Sequence, residues 1–295
     1  MDVHEVSAFA ELWRISLKHF MLFGFFCVLI GCHHFVPVED FDVNARMTLL
    51  PPVEIKLDGL QSAKSLSFVF FADMQVDARL REDLRTPSLN PLRAYLEKKP
   101  VDFIVSGGDN TENGVEAEYN YIHEEVESFG LPAYWVLGNH DLFNGGWNQW
   151  QKKYGTATRV LKTDLLSLYL LDNASGTIGE TQRTWLAQQL KQDKARYKIM
   201  AMHFPLFSGN HFELDGQPHM REAQTLAKLF EEHGVSLVLM GHSHIFRTSK
   251  INGIDYVVLS ALKENSPNKA FARVDVSEKG VKSTFVKITI DGYLE

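Results

Sequence analysis

Short apolar runs alternate with amphipathic segments along most of the chain. The runs are four to seven residues long and rich in Val, Ile and Phe, which is typical of buried strands. They lie at residues 66–71, 103–106, 133–137, 165–171, 198–202, 235–240 and 256–259. Apolar residues at helical spacing predict helices at 115–129 and 220–233, and Thr177-x-x-Glu180 predicts a capping box that opens a third helix. The alternation, followed by further strands up to residue 288, predicts an α/β core with mixed sheets.

The N-terminal region has a different pattern. Residues 20–31 form an uncharged run of 12 residues, preceded by Arg14 and Lys18, which is the length of a signal-peptide core and short for a membrane span. The run ends in Leu-Ile-Gly-Cys32, which resembles the lipobox of bacterial lipoproteins. This resemblance implies a signal peptide over residues 1–31, cleavage before Cys32 and acylation of that cysteine. An uncleaved anchor helix or a wrongly assigned start codon would be the alternatives.

The lipobox sets the predicted location and the domain boundaries. A lipidated Cys32 would make the protein exported and anchored to the membrane on its extracytoplasmic, for example periplasmic, face. Residues 32–64 contain Pro51-Pro52 and few periodic patterns, so we expect a tether that leads into an edge strand near residues 53–57. Regular alternation begins at residue 65, and residues 65–295 are expected to form one domain.

Charge and cysteine content limit the possible functions. The formal net charge is −7 with an isoelectric point near 6.0, and positive residues do not cluster, which disfavours nucleic acid as a partner. The chain has two cysteines, Cys27 and Cys32, both near the N-terminus. The remainder therefore has neither a disulfide framework nor a thiolate metal site, and any metal ion there must be held by oxygen and nitrogen.

Side chains of metal-binding type follow five of the apolar runs. Carboxyl ends of strands in an open α/β sheet are where sites form, so we expect these side chains to converge. The set is Asp73, Gln75, Asp109, Asn139, His203, His242 and His244. Seven mixed oxygen and nitrogen donors exceed the needs of one ion and would suit two divalent ions that share a carboxylate.

The order of these motifs resembles the calcineurin-like metallophosphoesterase family over about residues 65–265. The resemblance implies a four-layer α-β-β-α sandwich of two mixed sheets and identifies residues 65–295 as the phosphoesterase domain. It assigns a first metal site, with Asp109 bridging to a second, and His140 as a non-ligand that acts on the substrate. The first site would comprise Asp73, Gln75, Asp109 and His244, and the second would be completed by Asn139, His203 and His242.

Gln75 departs from the family pattern, which usually has histidine at this position. An amide oxygen is a harder and weaker donor than imidazole, so Gln75 favours oxygen-preferring ions such as manganese or magnesium over zinc-like metals. We expect two divalent ions drawn from manganese, iron, zinc and magnesium, with manganese preferred. Glu112 or Asp141 would orient His140. His211 and Trp147 would line the substrate rim, and a helix packing face is the alternative for Trp147.

The implied activity is hydrolysis of a small phosphorylated substrate. A hydroxide that bridges the two metal ions would attack phosphorus, and His140 would protonate the leaving group. The sequence leaves open monoester or diester specificity and the oligomeric state. A binding or scaffold protein that has lost the chemistry is the alternative, with Gln75 as its support. A nuclease is disfavoured by the acidic charge balance.

Overall fold

The structure is a computed structural model that describes residues 38–79, 88–206, 220–289 and 292–295. The predicted signal peptide at residues 1–31, Cys32 and His211 lie outside these ranges. The secondary structure described below falls within Val36–Glu295, one of the two units into which the chain divides. In the described ranges, no helix combines the length and the apolar character needed to cross a bilayer.

The described strands form two mixed sheets. The first has seven strands in the spatial order β1 (Val53–Lys56), β5 (Arg159–Lys162), β6 (Leu166–Leu170), β7 (Tyr197–Ala201), β8 (Val235–Met240), β10 (Ile254–Val258) and β9 (Arg247–Ile251). The second has six strands in the order β13 (Gly292–Leu294), β12 (Gly280–Thr289), β11 (Ala270–Ser277), β2 (Ser65–Phe71), β3 (Phe103–Ser106) and β4 (Ala133–Trp135).

Helices cover the outer faces of both sheets. The described helices are α1 (Val38–Phe41), α2 (Val43–Leu49), α3 (Leu89–Lys98), α4 (Glu116–Glu127), α5 (Gly146–Tyr154), α6 (Gly179–Gln192) and α7 (Met220–Glu232), with a 3-10 segment at His140–Gly145. Buried side chains of α3, α4 and α5 pack on the six-stranded sheet. Those of α6 and α7 pack on the seven-stranded sheet.

The central core lies between the two sheets. Phe68 and Phe103 of the six-stranded sheet stack with ring centroids 4.9 Å apart, and both are buried in a cluster with Leu168 and Leu239 of the other sheet. Burying an apolar side chain of this size stabilises a fold by about 1.5–3 kcal/mol. Two face-to-face sheets with helices outside each confirm the predicted four-layer α-β-β-α sandwich.

Strand direction places the polar loops at one edge of the sandwich. Strands β2, β3 and β4 are parallel, and so are β6, β7 and β8. The loops that follow parallel neighbours leave the sheet at the same edge. The backbone N–H of His242 donates to both carboxylate oxygens of Asp73 at 3.0 Å, which ties the two sheets together at this edge.

The region predicted as a tether contains structure. Residues 38–49 form α1 and α2, and Arg46 of α2 makes a buried ion pair with Asp172 at 2.7 Å. The prediction of a tether is therefore wrong for these residues, because a partner 126 residues away stabilises them. The predicted edge strand is confirmed as β1, which pairs with β5 in parallel at the edge of its sheet.

The predicted capping box at Thr177 is also wrong. The N-cap of α6 is Ile178, and no side chain caps it. The Thr177 hydroxyl instead accepts a hydrogen bond from the Gly179 N–H at 3.0 Å and donates to the Glu222 carboxylate at 2.9 Å. The Thr177 side chain thus bonds to Glu222 on α7, a partner distant in sequence, and does not form the predicted capping box.

Candidate metal centre

The structure brings the seven predicted donors together at the shared sheet edge. Short distances link Asp109 Oδ2 to His203 Nε2 at 3.3 Å and to Gln75 Nε2 at 3.4 Å. Asn139 Oδ1 lies 3.2 Å from His203 Nε2. Asp109, His203 and His242 each offer a ligand atom, and these atoms lie within 4.8 Å of one another.

The remaining donors adjoin this group through Asp73. Its Oδ1 lies 3.6 Å from His244 Nε2, and its carboxylate accepts the His242 N–H. The side chains of Asp73, Asp109 and His203 are no more than 2% exposed, whereas His244 is 39% exposed. The cluster is therefore buried on one side and open to solvent on the side of His244, as a site that binds a reacting ligand requires.

Backbone strain is concentrated in these loops. In the described ranges, seven non-glycine residues have positive φ, and five of them are predicted ligands. The five are Asp73 (57°), Gln75 (43°), Asp109 (52°), His242 (68°) and His244 (56°). Each such conformation costs about 1–3 kcal/mol and persists only where the surrounding fold determines it. The sandwich therefore holds these side chains in place against local preference.

Two glycines permit the loops to approach one another closely. A Cβ at Gly138 would lie 2.1 Å from the Asp109 backbone nitrogen, and one at Gly108 would lie 2.6 Å from His203 Nδ1. Neither position has room for a side chain. Glycine at these positions is thus a condition for bringing Asp109 and His203 together.

Hydrogen bonds orient the central ligand atoms. His203 Nδ1–H donates to the Gly107 carbonyl at 3.0 Å, so Nε2 is the ring nitrogen that faces Asp109 and that would bind a cation after losing its proton. Asp109 Oδ1 accepts the His140 N–H at 2.9 Å, so its Oδ2 faces His203. A carbonyl bond to the far ring nitrogen is how metal-binding histidines are commonly fixed in the required tautomer.

Burial and neighbouring charges determine which residues of the site carry protons. Burial works against the charged form of Asp109, yet nearby His203 and His140 outweigh it and lower the pKa of Asp109 to about 2. Burial also opposes the charge on His203, but Asp109 outweighs it and raises the His203 pKa to about 9. Burial raises the pKa of Asp73 to about 8. In the metal-free protein at neutral pH, the Asp109 carboxylate is thus paired with a cationic His203 beside a protonated Asp73, and a bound cation would displace these protons.

The side-chain oxygen of Gln75 indicates whether the predicted donors fit a metal ion. Its Oε1 is buried and has no hydrogen-bond partner among the residues that the structure describes, although Gln75 Nε2 faces Asp109. A buried acceptor without a partner costs about 1–3 kcal/mol, which a coordinated cation would offset. The orphaned oxygen, the oriented His203 and the buried carboxylates together fit a hard divalent cation held by oxygen and nitrogen.

His140 lies beside the donors and is oriented by a backbone carbonyl. Its Nδ1 is 2.9 Å from the Glu112 carbonyl oxygen, and its Nε2 is 3.9 Å from Asp109 Oδ2. The Glu112 carboxylate is farther from Nδ1, at 3.9 Å, and pairs with Lys263 at 2.8 Å. Glu112 therefore orients His140 through its main chain.

Asp141 does not orient His140, contrary to the alternative from the sequence. Its carboxylate accepts hydrogen bonds from the N–H groups of Gly138 and Thr111, at 3.0 and 2.9 Å, and from Asn110 Nδ2 at 2.8 Å. Burial, followed by the neighbouring Asp109, raises the pKa of Asp141 to about 6. Its role is to join the loops after β3 and β4.

The predicted substrate rim is wrong at Trp147. This side chain is 3% exposed and packs in the core between the helices and the six-stranded sheet. Sequence reasoning missed Asn173 and Phe204, which contact His203 and His242. Asn173 was detectable in principle, because it follows the apolar run 165–171 as the other site residues follow theirs.

Comparisons with known proteins agree with this fold. A probable cyclic nucleotide phosphodiesterase from Synechococcus is 26% identical over 191 residues, which cover 62% of this chain and 74% of that protein. The 3′,5′-cyclic adenosine monophosphate phosphodiesterase of Escherichia coli is 30% identical over 151 residues, 48% of this chain and 54% of that enzyme. A dimetal phosphatase structure from Danio rerio superposes with a TM-score of 0.58 at 15% identity, covering 76% of this chain and 99% of the other.

The family profile spans both sheets and the loops that carry the donors. It describes the calcineurin-like phosphoesterases and matches residues 66–246, more than half of the 295 residues. The match begins in β2 and ends after His244, so it includes every donor loop. The chain belongs to the calcineurin-like phosphoesterase family.

Proposed function

We propose that the protein is a phosphoesterase that uses two divalent metal ions to hydrolyse a small phosphodiester. The observation that carries the proposal is the orphaned Gln75 Oε1 inside a cluster of buried carboxylates and oriented imidazoles. Hydrolases of this class use such clusters to hold metal ions, which supply the charge that activates water and stabilises the transition state.

The donors divide into two sets around Asp109. Asp73, Gln75 and His244 would hold one ion, and Asn139, His203 and His242 would hold the other. Asp109 is placed to serve both, because its Oδ2 lies within 3.4 Å of both Gln75 Nε2 and His203 Nε2. Manganese is the preferred ion because the Gln75 donor is an amide oxygen.

His140 would donate a proton to the leaving oxygen or hold a phosphoryl oxygen. The bond between its Nδ1 and the Glu112 carbonyl keeps the ring at the edge of the donor cluster, where its side chain is 23% exposed. A correctly placed general acid contributes about 10²–10⁴-fold to the rate. His140 belongs to the catalytic machinery rather than to the ligand set.

The names of two relatives suggest which class of substrate to test first. The Synechococcus and Escherichia coli relatives are named as cyclic nucleotide phosphodiesterases, so a cyclic phosphodiester is the first substrate class to test. The net charge of −7 favours a small molecule over a nucleic acid.

The test is turnover of metal-free protein after reconstitution. Manganese, zinc, iron and magnesium are each added, and hydrolysis of cyclic AMP, a chromogenic diester and a chromogenic monoester is followed. We expect manganese-dependent hydrolysis of the diesters, and an Asp109→Ala protein should be inactive with every ion. A wild-type protein that binds the ions and hydrolyses none of the substrates would favour the scaffold alternative.

A further inference from the structure

One side chain outside the ligand set fixes the backbone of His203. Asn173 Oδ1 accepts the N–H of His203 at 2.9 Å and the N–H of Phe204 at 3.0 Å. Asn173 Nδ2 donates to the Phe204 carbonyl at 2.9 Å. Asn173 is fully buried, so water does not compete for these three bonds.

The hydrogen bonds of Asn173 also affect a second predicted ligand, His242, through its contact with Phe204. The Phe204 ring lies against the His242 ring, with centroids 3.8 Å apart and planes inclined at 32°. Phe204 also contacts the His203 ring edge-on, with centroids 5.4 Å apart, and the rings of His203 and His242 lie 5.2 Å apart. The position of Asn173 therefore affects two of the three side chains in the tightest ligand group.

Asn173 is in turn held through its neighbour Asp172. Arg46 donates from Nε and Nη2 to the two carboxylate oxygens of Asp172, at 2.8 and 2.7 Å. The two side chains are 1% and 3% exposed. A two-point guanidinium–carboxylate contact fixes orientation as well as distance, and a buried one is strongly disrupted when one partner is lost.

Arg46 belongs to the N-terminal helices and joins them to the Asp172 loop at further points. Its Nη1 donates to Ser175 Oγ at 3.1 Å, and the Ser175 hydroxyl donates to the carbonyl of Phe41. The segment Val38–Leu49 is thus attached to the loop that carries Asn173. Two sets of hydrogen bonds, joined by the peptide bond between Asp172 and Asn173, thus lead from α2 to His203.

We propose that Arg46, Asp172 and Asn173 are positioning residues for the metal centre, and that its affinity for metal depends on the segment Val38–Leu49. This inference rests on the proposed function in that it takes His203 and His242 as ligands. Outer contacts of metal-binding histidines typically change metal affinity by about 10–100-fold when they are removed. The effect should appear in metal binding itself, before any chemical step.

The test is calorimetric titration of metal-free, full-length protein with manganese alone and with zinc alone. Asn173→Ala should weaken binding by about 10–100-fold. Arg46→Lys keeps the charge but loses the two-point contact, so it should weaken binding in the same direction and to a smaller extent. Arg46→Lys also keeps the proposal testable if Asn173→Ala does not fold.

Thr163→Val is the matched control. The Thr163 hydroxyl accepts the N–H groups of Leu165 and Leu166, at 3.2 and 2.9 Å, and Thr163 is 6% exposed. It therefore holds a loop in the manner of Asn173, but it precedes β6 at the end of the strand remote from the donors. Thr163→Val should lower the melting temperature and leave metal affinity unchanged.

The outcomes separate this inference from the proposed function. Wild-type affinity in both Asn173→Ala and Arg46→Lys overturns the inference and leaves the proposed function intact. Equal loss of affinity in Thr163→Val overturns it as well, because the effect would then follow stability alone. A wild-type protein that binds neither ion overturns both.

Discussion

The backbone N–H of His140 donates to Asp109 Oδ1 at 2.9 Å, so the proposed acid and the proposed bridging ligand are fixed to each other. Asp109→Asn keeps an oxygen for this bond and removes the negative charge that two metal ions would share. We expect Asp109→Asn to lose binding of both ions, as measured by metal content after dialysis.

Asp102→Asn is the control for this substitution. Asp102 Oδ2 accepts the N–H of Ser67 at 2.6 Å and precedes β3, at the edge opposite the donors. Its replacement should leave metal content unchanged. If Asp109→Asn keeps both ions, the bridging role is wrong.

His140→Ala should separate catalysis from metal binding. No ligand is removed, so metal content should match wild type, while the rate falls by about 10²–10⁴-fold. The measurement is kcat for an alkyl phosphodiester, whose poor leaving group needs a proton. His233→Ala, at a histidine that follows α7 away from the donors, is the control and should keep full activity. An unchanged rate in His140→Ala would exclude the acid role.

Gln75 is expected to set the metal preference. Gln75→His replaces the amide oxygen with an imidazole nitrogen and should raise the affinity for zinc relative to manganese. Gln75→Glu supplies an oxygen donor without nitrogen and should keep the preference for manganese. Competition between the two metals at equal concentration measures the ratio. The same zinc-to-manganese ratio in all three proteins would show that residue 75 is not a ligand.

Metal affinity should rise with pH. Although burial opposes it, the Asp109 carboxylate raises the pKa of His203 to about 9, and burial raises the pKa of Asp73 to about 8. Both groups therefore carry protons at neutral pH in the metal-free protein, and metal binds their deprotonated forms. Affinity should fall as the pH drops below these pKa values and level off above about pH 9.

Proton release gives an independent measure of this dependence. Calorimetric titrations with manganese in two buffers of different ionisation heat report the number of protons displaced at each pH. We expect proton release at pH 7 and progressively less as the pH rises through about 9. An affinity that does not vary with pH would contradict the charge states assigned to His203 and Asp73.

The predicted lipid anchor has its own test. Cells that express the full chain are labelled with a fatty acid, and wild-type protein should incorporate the label at Cys32. Cys32→Ala should lose it, whereas Cys27→Ala, within the apolar run, should retain it. An unlabelled wild-type protein would contradict the lipoprotein prediction and the location that follows from it.

The central strands were predictable because their apolar character is continuous. β3 and β8 have the bounds that the sequence indicates, since both are largely buried and end directly before Gly107 and Gly241. The donors were predictable for the same reason, because a site residue directly after a buried strand is constrained to the sheet edge. The local sequence is therefore sufficient to predict a strand, and the site residues that follow it, where a buried apolar run ends at the same residue as the strand.

Features that depend on distant partners were not predictable in this way. The segment Val38–Leu49 lacks a strong apolar pattern, and its Arg46 is satisfied by a residue 126 positions away. The prediction that Trp147 lines the substrate rim failed because the chain turns directly before α5. Asn144 and Gly145 adopt positive φ there, at 53° and 75°. Such turns are set by tertiary packing, which the sequence pattern does not report.

The left-handed backbone at five donor positions makes the candidate metal centre dependent on the stability of the surrounding fold. Packing between the two sheets supplies the free energy that keeps each strained residue in its conformation. Any substitution that weakens this packing therefore leaves less free energy to hold the loops. Natural variants with a weakened core should therefore release metal at temperatures well below global unfolding. Growth conditions rich in the preferred ion would then protect such variants, since a ligand that binds the folded state shifts the equilibrium towards it.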